Sequence, residues 1–196
     1  MTATQAVADD TVGFVFAIFD TLALTKRNLL HLVRETGLLV FTFLQPVMFV
    51  LLFRYVFGGT LGQVLGMDYV NYLLPGIFVQ AVALGSVSMA IGLAEDFGGG
   101  LIERFRSLPM APMSVLAART LADLVRNIGI VVVMLLVGMA IGFRPNDVIG
   151  VVKGSLLVLA FAFSLSWLMA LVGLRSTSAE EAQSIAFPVL LPLTFA

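Results

Sequence analysis

Five stretches of this chain contain no Asp, Glu, Lys or Arg: Thr36–Phe53, Tyr69–Ala94, Asn127–Phe143, Gly154–Leu174 and Ala182–Ala196. Short charge-bearing connectors separate them. In hydrocarbon every backbone N–H and C=O must find its partner inside the protein, so only helices and closed barrels can span a bilayer. A helix needs about 20 predominantly apolar residues to cross, a barrel strand about ten. These runs, rich in Leu, Val, Phe and Ala, have the helical length. The chain therefore reads as an all-α, polytopic membrane protein with about five transmembrane segments present.

The charge content agrees: 12% of residues are charged, against about 25% in a soluble domain. A net charge of -1 gives no footprint for a polyanion, and no nucleic-acid partner is expected. With no cysteine and one histidine, His31, disulfides, thiolate ligands and multi-histidine metal sites are excluded. No cleavable signal is evident, because Met1–Asp10 is polar and acidic and Asp20 interrupts the first apolar stretch.

Three regions follow. Residues 1–11 form a polar leader. Residues 12–35 place Ile18, Leu22, Leu29 and Val33 at helical spacing, with Asp20, Arg27, Asn28, His31 and Arg34 on the other side. That is the pattern of an amphipathic helix lying in the membrane interface. Residues 36–196 form the transmembrane domain. Its spans are expected at about Gly37–Phe57, Tyr72–Ala94 (entered through Pro75-Gly76), a third ending at Phe143, Val151–Leu174, and a last run from Ala182. Gly58-Gly59 should stop the first. The third begins gradually, since Arg119, Asp123 and Arg126 recur at i, i+4 and i+7 on one stripe. The last run contains Pro188 and Pro192 and is still apolar at Ala196, which implies either a truncated chain, the reading we prefer, or a broken or re-entrant helix.

Basic residues in short loops set orientation. With the N-terminus inside, Lys26, Arg27, Arg34, Arg104, Arg106, Arg119 and Arg175 are cytoplasmic, and Arg54, Arg144 and Lys153 lie outside. The excess predicts a cytoplasmic N-terminus and a cytoplasmic connector Glu95–Pro112.

Catalytic motifs are missing. There is no GxxxxGK[ST] phosphate loop, HExxH or GxSxG, and Glu95-Asp96 reads as a helix-end charge rather than a catalytic dyad. No cofactor, metal or catalytic residue is expected. The connector Glu95–Pro112 is more telling. Glycines 98–100 precede a short element in which Leu101, Ile102, Phe105 and Leu108 recur near helical spacing and Glu103, Arg104 and Arg106 are polar; Pro109 and Pro112 end it. Such an element either docks in an apolar groove of a partner or rests on lipid.

Within the spans, Gln45, Gln80, Ser86, Ser88, Ser164 and Ser166 are candidates to line a substrate path, since intramembrane polar groups face protein or water. Gly138/Gly142, Ala81/Gly85 and Ser88/Gly92 have the spacing of close helix packing.

The chain resembles the permease subunit of ABC-2-type exporters, particularly the daunorubicin-resistance-like group. The resemblance rests on Tyr72–Gln80, on Glu95–Pro112 and above all Gly100–Pro109, on Arg119–Asn127 and on Phe187–Ala196. It implies six spans with both termini cytoplasmic, where this chain stops in the fifth. It further implies an ATPase in a separate chain, a second permease copy as homo- or heterodimer, and an ATPase-coupling helix at Glu103, Arg104, Phe105, Arg106 and Leu108. The function expected is ATP-driven export of a hydrophobic drug or lipid across the cell membrane. The alternatives are a membrane-embedded lipid-modifying enzyme, for which only scattered groups such as Asp123 and Arg126 are on offer, and a non-transporting scaffold.

Overall fold

The structure, a computed structural model, describes residues 19–30, 33–34, 36–58, 69–98, 112–144 and 147–195. Every element among them is helical: α1 (19–30), α2 (Thr36–Leu52, continued by a π-turn at Phe53–Phe57), α3 (Tyr69–Gly98), α4 (Pro112–Ala140), α5 (Val148–Arg175) and α6 (Ala179–Phe195). Each expected apolar run coincides with one of α2 to α6. Tyr69–Asp96, Val115–Ala140 and Val148–Arg175 are long and apolar enough to cross a membrane, and α2 adds a shorter apolar stretch, Val40–Val56.

The ends of these helices follow from local chemistry. Pro112 opens α4, where its missing N–H costs nothing and its fixed φ suits the first turn. Gly142 closes it at φ 104°. Phe143 N–H bonds to Gly138 O at 2.8 Å and Gly142 N–H to Met139 O at 3.3 Å, the paired closure of a left-handed glycine cap. Asp147 caps α5 by accepting from Ile149 N–H at 2.9 Å. At the start of α6, Ser178 Oγ accepts from Glu181 N–H at 3.2 Å, and the Glu181 carboxylate accepts from Thr177 N–H and Oγ at 2.7 and 2.6 Å. This reciprocal exchange satisfies donors at the helix start.

The first span's described part ends at Gly58, its C-cap, in keeping with the expected stop, and Gly59 lies outside the described residues. Several expectations are corrected. Pro75 sits inside α3 instead of at its entrance. α6 runs unbroken through Pro188 and Pro192. Both prolines are exposed, whereas Ala182, Ala186 and Leu190 on the opposite side are buried; the donors lost to proline therefore fall on the outer side, away from the packed face. The Gly138/Gly142 pair is not one packing face. A Cβ at Gly138 would come within 3.0 Å of Leu74, while one at Gly142 meets nothing; Gly142 serves the cap.

α3 is the hub. It contacts α2, α4, α5 and α6, and more of its apolar stretch is buried than of α4 or α5. Two apolar clusters lie along it. One joins Leu74, Phe78 and Val82 to Val50 of α2, Ile130 and Met134 of α4, and Val158 and Ala162 of α5. The other joins Val87, Ala90 and Leu93 to Leu165 and Met169 of α5 and Ala182, Ala186 and Leu190 of α6. α5 meets α3 most closely at Gly173, where a Cβ would stand 2.5 Å from Ala90 O. α1 is pinned by Thr25, whose hydroxyl lies 2.7 Å from Thr21 O and 3.2 Å from Ala118 O of α4. Leu22 and Val33, expected on one apolar face, are 55% and 60% exposed; the buried residues of α1 are Leu24 and Thr25. Ile18 and His31 lie outside the described residues.

Candidate functional site

Beside the second apolar cluster lies a polar layer built by three helices. The stripe Arg119, Asp123 and Arg126 on α4 meets Gly85, Ser88, Gly92 and Asp96 on α3. The two helices run antiparallel, so the seven-residue spacing of the arginines matches that of the glycines. Arg126 reaches across the seam: its guanidinium donates to Gly85 O at 2.8 Å and to Ser88 Oγ, and Ser88 in turn donates to Gly85 O at 2.8 Å. The same guanidinium pairs with Asp123 one turn back on α4. Asp123 Oδ2 accepts from Asn127 Nδ2 at 3.2 Å and contacts the Ser166 hydroxyl of α5, which also lies 3.0 Å from Ala162 O. Nearer the root of α4, Arg119 lies against Gly92 and pairs with Asp96.

Space favours a small residue most strongly at Gly92; at Gly85 a Cβ would make only an ordinary contact. A Cβ at Gly85 would stand 3.4 Å from Arg126 Nη2, and one at Gly92 would collide with the Arg119 guanidinium. The small residues at 85, 88 and 92 therefore admit arginines of α4 instead of letting two backbones touch.

The Arg126 and Asp123 side chains are only 9% and 5% exposed, near the middle of the 29-residue α4. Moving charges out of water costs several kcal/mol per ion, which the pair recovers only through close contact and extra hydrogen bonds. Here Gly85, Ser88, Asn127 and Ser166 supply those bonds. Arg126 Nε and Asn127 Oδ1 have no partner among the described residues. The two charged groups neutralise each other.

The structure brings together two of the six expected path residues, Ser88 and Ser166. Ser86 is buried but donates to Ala83 O at 2.6 Å. Ser164 faces outward and donates to Ala160 O at 3.0 Å. Gln45 lines an apolar groove of about 270 Å³ on α2 with Phe41, Leu44, Met48, Phe49 and Leu52. Gln80 is half-buried on α3. Glu103, Arg104, Phe105, Arg106 and Leu108 lie outside the described residues. Asp123, Arg126 and Asn127, the centre of the layer, enter the sequence reading as the gradual start of a span, as scattered groups and within a family motif, not as path residues. An acid–base pair three residues apart on one stripe, deep in an apolar helix, was the signal for it.

A family model described as ABC-2 type transporter matches residues 20–196. The chain is 34% identical over 153 residues to the daunorubicin resistance ABC transporter permease protein DrrB1 of Streptomyces coeruleorubidus, covering 78% of this chain and 54% of that protein. It is 35% identical over 104 residues to a doxorubicin resistance ABC transporter permease protein, DrrB, of Mycobacterium tuberculosis, covering 53% and 36%. A probable doxorubicin resistance permease of the same organism, DrrC, is 31% identical over 128 residues, covering 65% and 46%. The chain thus spans about half the length of these curated relatives or less. No solved structure matches it.

Proposed function

The chain belongs to the ABC-2 type transporter family, and on that premise we propose that it is a membrane-spanning permease subunit of an ATP-driven exporter in the cell membrane. One observation carries the reading: a relative aligned over 78% of this chain bears the name of a drug-resistance ABC permease. ATP hydrolysis belongs to a separate ATPase chain, and two permease copies with two ATPases make the working assembly. The cargo is a hydrophobic drug or a lipid. The N-terminus faces the cytoplasm, as the basic-residue asymmetry favours, and residues 12–35 lie in the interface. Phe19, Leu22, Leu30 and Val33 point away from the helix bundle, where acyl chains would meet them.

The coupling element is the connector, with Phe105 and Leu108 as buried anchors and Glu103, Arg104 and Arg106 on the polar rim. Ser88 and Ser166 are the expected path residues whose neighbourhood is polar, and they border the cargo route. The test is co-expression with the ATPase in a drug-sensitive host. Phe105→Ala or Leu108→Ala should weaken co-purification of the ATPase more than tenfold, since anchors of this kind are worth about 2 kcal/mol or more. Normal co-purification and export by both variants would overturn the coupling assignment. Failure of the unsubstituted chain to co-purify with any ATPase would overturn the function.

A further inference from the structure

We infer that Asp96 and Arg119 are positioning residues that lock the C-terminal end of α3 to the first turns of α4, so that the segment leaving at Gly98 and returning at Pro112 acts on both helices as one body. The inference rests on reading residues 99–111 as the contact with the ATPase, and it assigns a task to an ion pair that lies outside that contact.

Three observations meet at this point. Asp96, in the last turn of α3, pairs with Arg119, two turns into α4, and the two side chains are only 33% and 26% exposed. The arginine lies in a slot made by the missing side chain of Gly92, which holds its guanidinium against α3 along the length of a turn. One residue away, Ala118 O accepts from Thr25 of α1, so the root of α4 is held from a second side. Glu95 and Asp123 add negative charge around Arg119, and Arg27 of α1 opposes them.

Two turns deeper, Arg126 repeats the arrangement at Gly85 and Ser88. Two arginines on one helix, one seated in the Gly92 slot and the other bonded to Gly85 O and Ser88, resist both separation of the helices and sliding along them. A pair of helices tied at two levels transmits a push at its end as a lever does, whereas untied helices would dissipate it by splaying.

The chain has no cysteine, so nitroxide labels can be placed at Gly98→Cys and Leu121→Cys, positions exposed on α3 and α4, in the full chain in lipid nanodiscs. The native pair should give one narrow distance. Asp96→Asn and Arg119→Gln should each broaden it. Gly92→Ala, which leaves every charge in place but displaces the guanidinium, should broaden it as well.

In the assembled transporter, Asp96→Asn should keep the ATPase bound yet export about fivefold fewer molecules per ATP hydrolysed, within the range of coupling energies between distant sites. A distance distribution unchanged in both Asp96→Asn and Gly92→Ala overturns the inference, as does normal export per ATP in Asp96→Asn. Failure of the ATPase to bind the unsubstituted chain would instead overturn the coupling reading, and the distance measurements would still decide whether the lock exists.

Discussion

The Arg126 guanidinium donates to the backbone carbonyl of Gly85 at 2.8 Å, crossing from α4 to α3 while its other contacts hold Asp123 and Ser88. A carbonyl that already serves a helix accepts this extra bond through its second lone pair. The same charge thereby ties α3 to α4 and, through Asp123, to Ser166 on α5.

Removing one member of this pair strands the other in a low-dielectric interior. Arg126→Ala and Asp123→Ala should each destabilise the bundle by about 3–5 kcal/mol, and a double replacement by apolar residues of similar volume, Asp123→Leu with Arg126→Met, should recover much of that loss. Thermal unfolding in detergent provides the readout. Strict additivity of the two single losses would mean that the side chains do not act as a pair.

Gly173 and Gly154 should respond to alanine with opposite sign. At Gly173 a methyl group would press on Ala90 O at 2.5 Å and on the Leu93 Cβ at 2.8 Å. Backbone cannot step aside as a side chain can, so Gly173→Ala should cost about 1–3 kcal/mol. Gly154 has nothing within 4 Å of its Cβ position, and Gly154→Ala should gain about 0.5–1 kcal/mol from helix preference. Unfolding midpoints that move the same way for both would contradict the close approach of α3 and α5.

Glu181 lies at the start of α6, ahead of the apolar run. Hydrogen bonds from the Thr177 hydroxyl and then its backbone N–H hold its carboxyl below the usual carboxylate range. A depressed carboxylate stabilises the fold above its unfolded-state pKa, and that contribution is lost as pH falls through the lower, folded-state value. Thr177→Val should raise the Glu181 pKa toward that of a free glutamate. Carboxyl-detected NMR of the selectively labelled protein would show it, and an unmoved titration would remove the hydroxyl as the main cause.

Sidedness is tested by single cysteines at Gly99 and Gly62 of this cysteine-free chain. With a cytoplasmic N-terminus, an impermeant thiol reagent added to intact cells should label Gly62→Cys and spare Gly99→Cys. Labelling of residue 99 from outside would reverse the topology.

The element order and helix class were legible in the chain itself. Backbone satisfaction in lipid leaves little choice for charge-free runs of this length, and each of the five runs became a helix. Local terminators such as Pro112, Gly142, Asp147 and Ser178 act within a turn or two, yet Gly142 reads in the sequence as half of a packing pair and shows itself as a cap only in the folded chain. The site could not be read in this way. Seven-residue spacing on α4 showed that Arg119 and Arg126 share a stripe, but not that Gly85 and Gly92 stand opposite them, because that depends on the register between two helices joined through thirteen intervening residues. Gly138/Gly142 and Ser88/Gly92 look alike as small-residue pairs, yet one contains a helix cap and the other an arginine slot. Ser86, Ser88, Ser164 and Ser166 carry the same hydroxyl. All four bond to their own backbone, and only rotation of their helices in the assembled bundle turned Ser88 and Ser166 toward the ion pair as well.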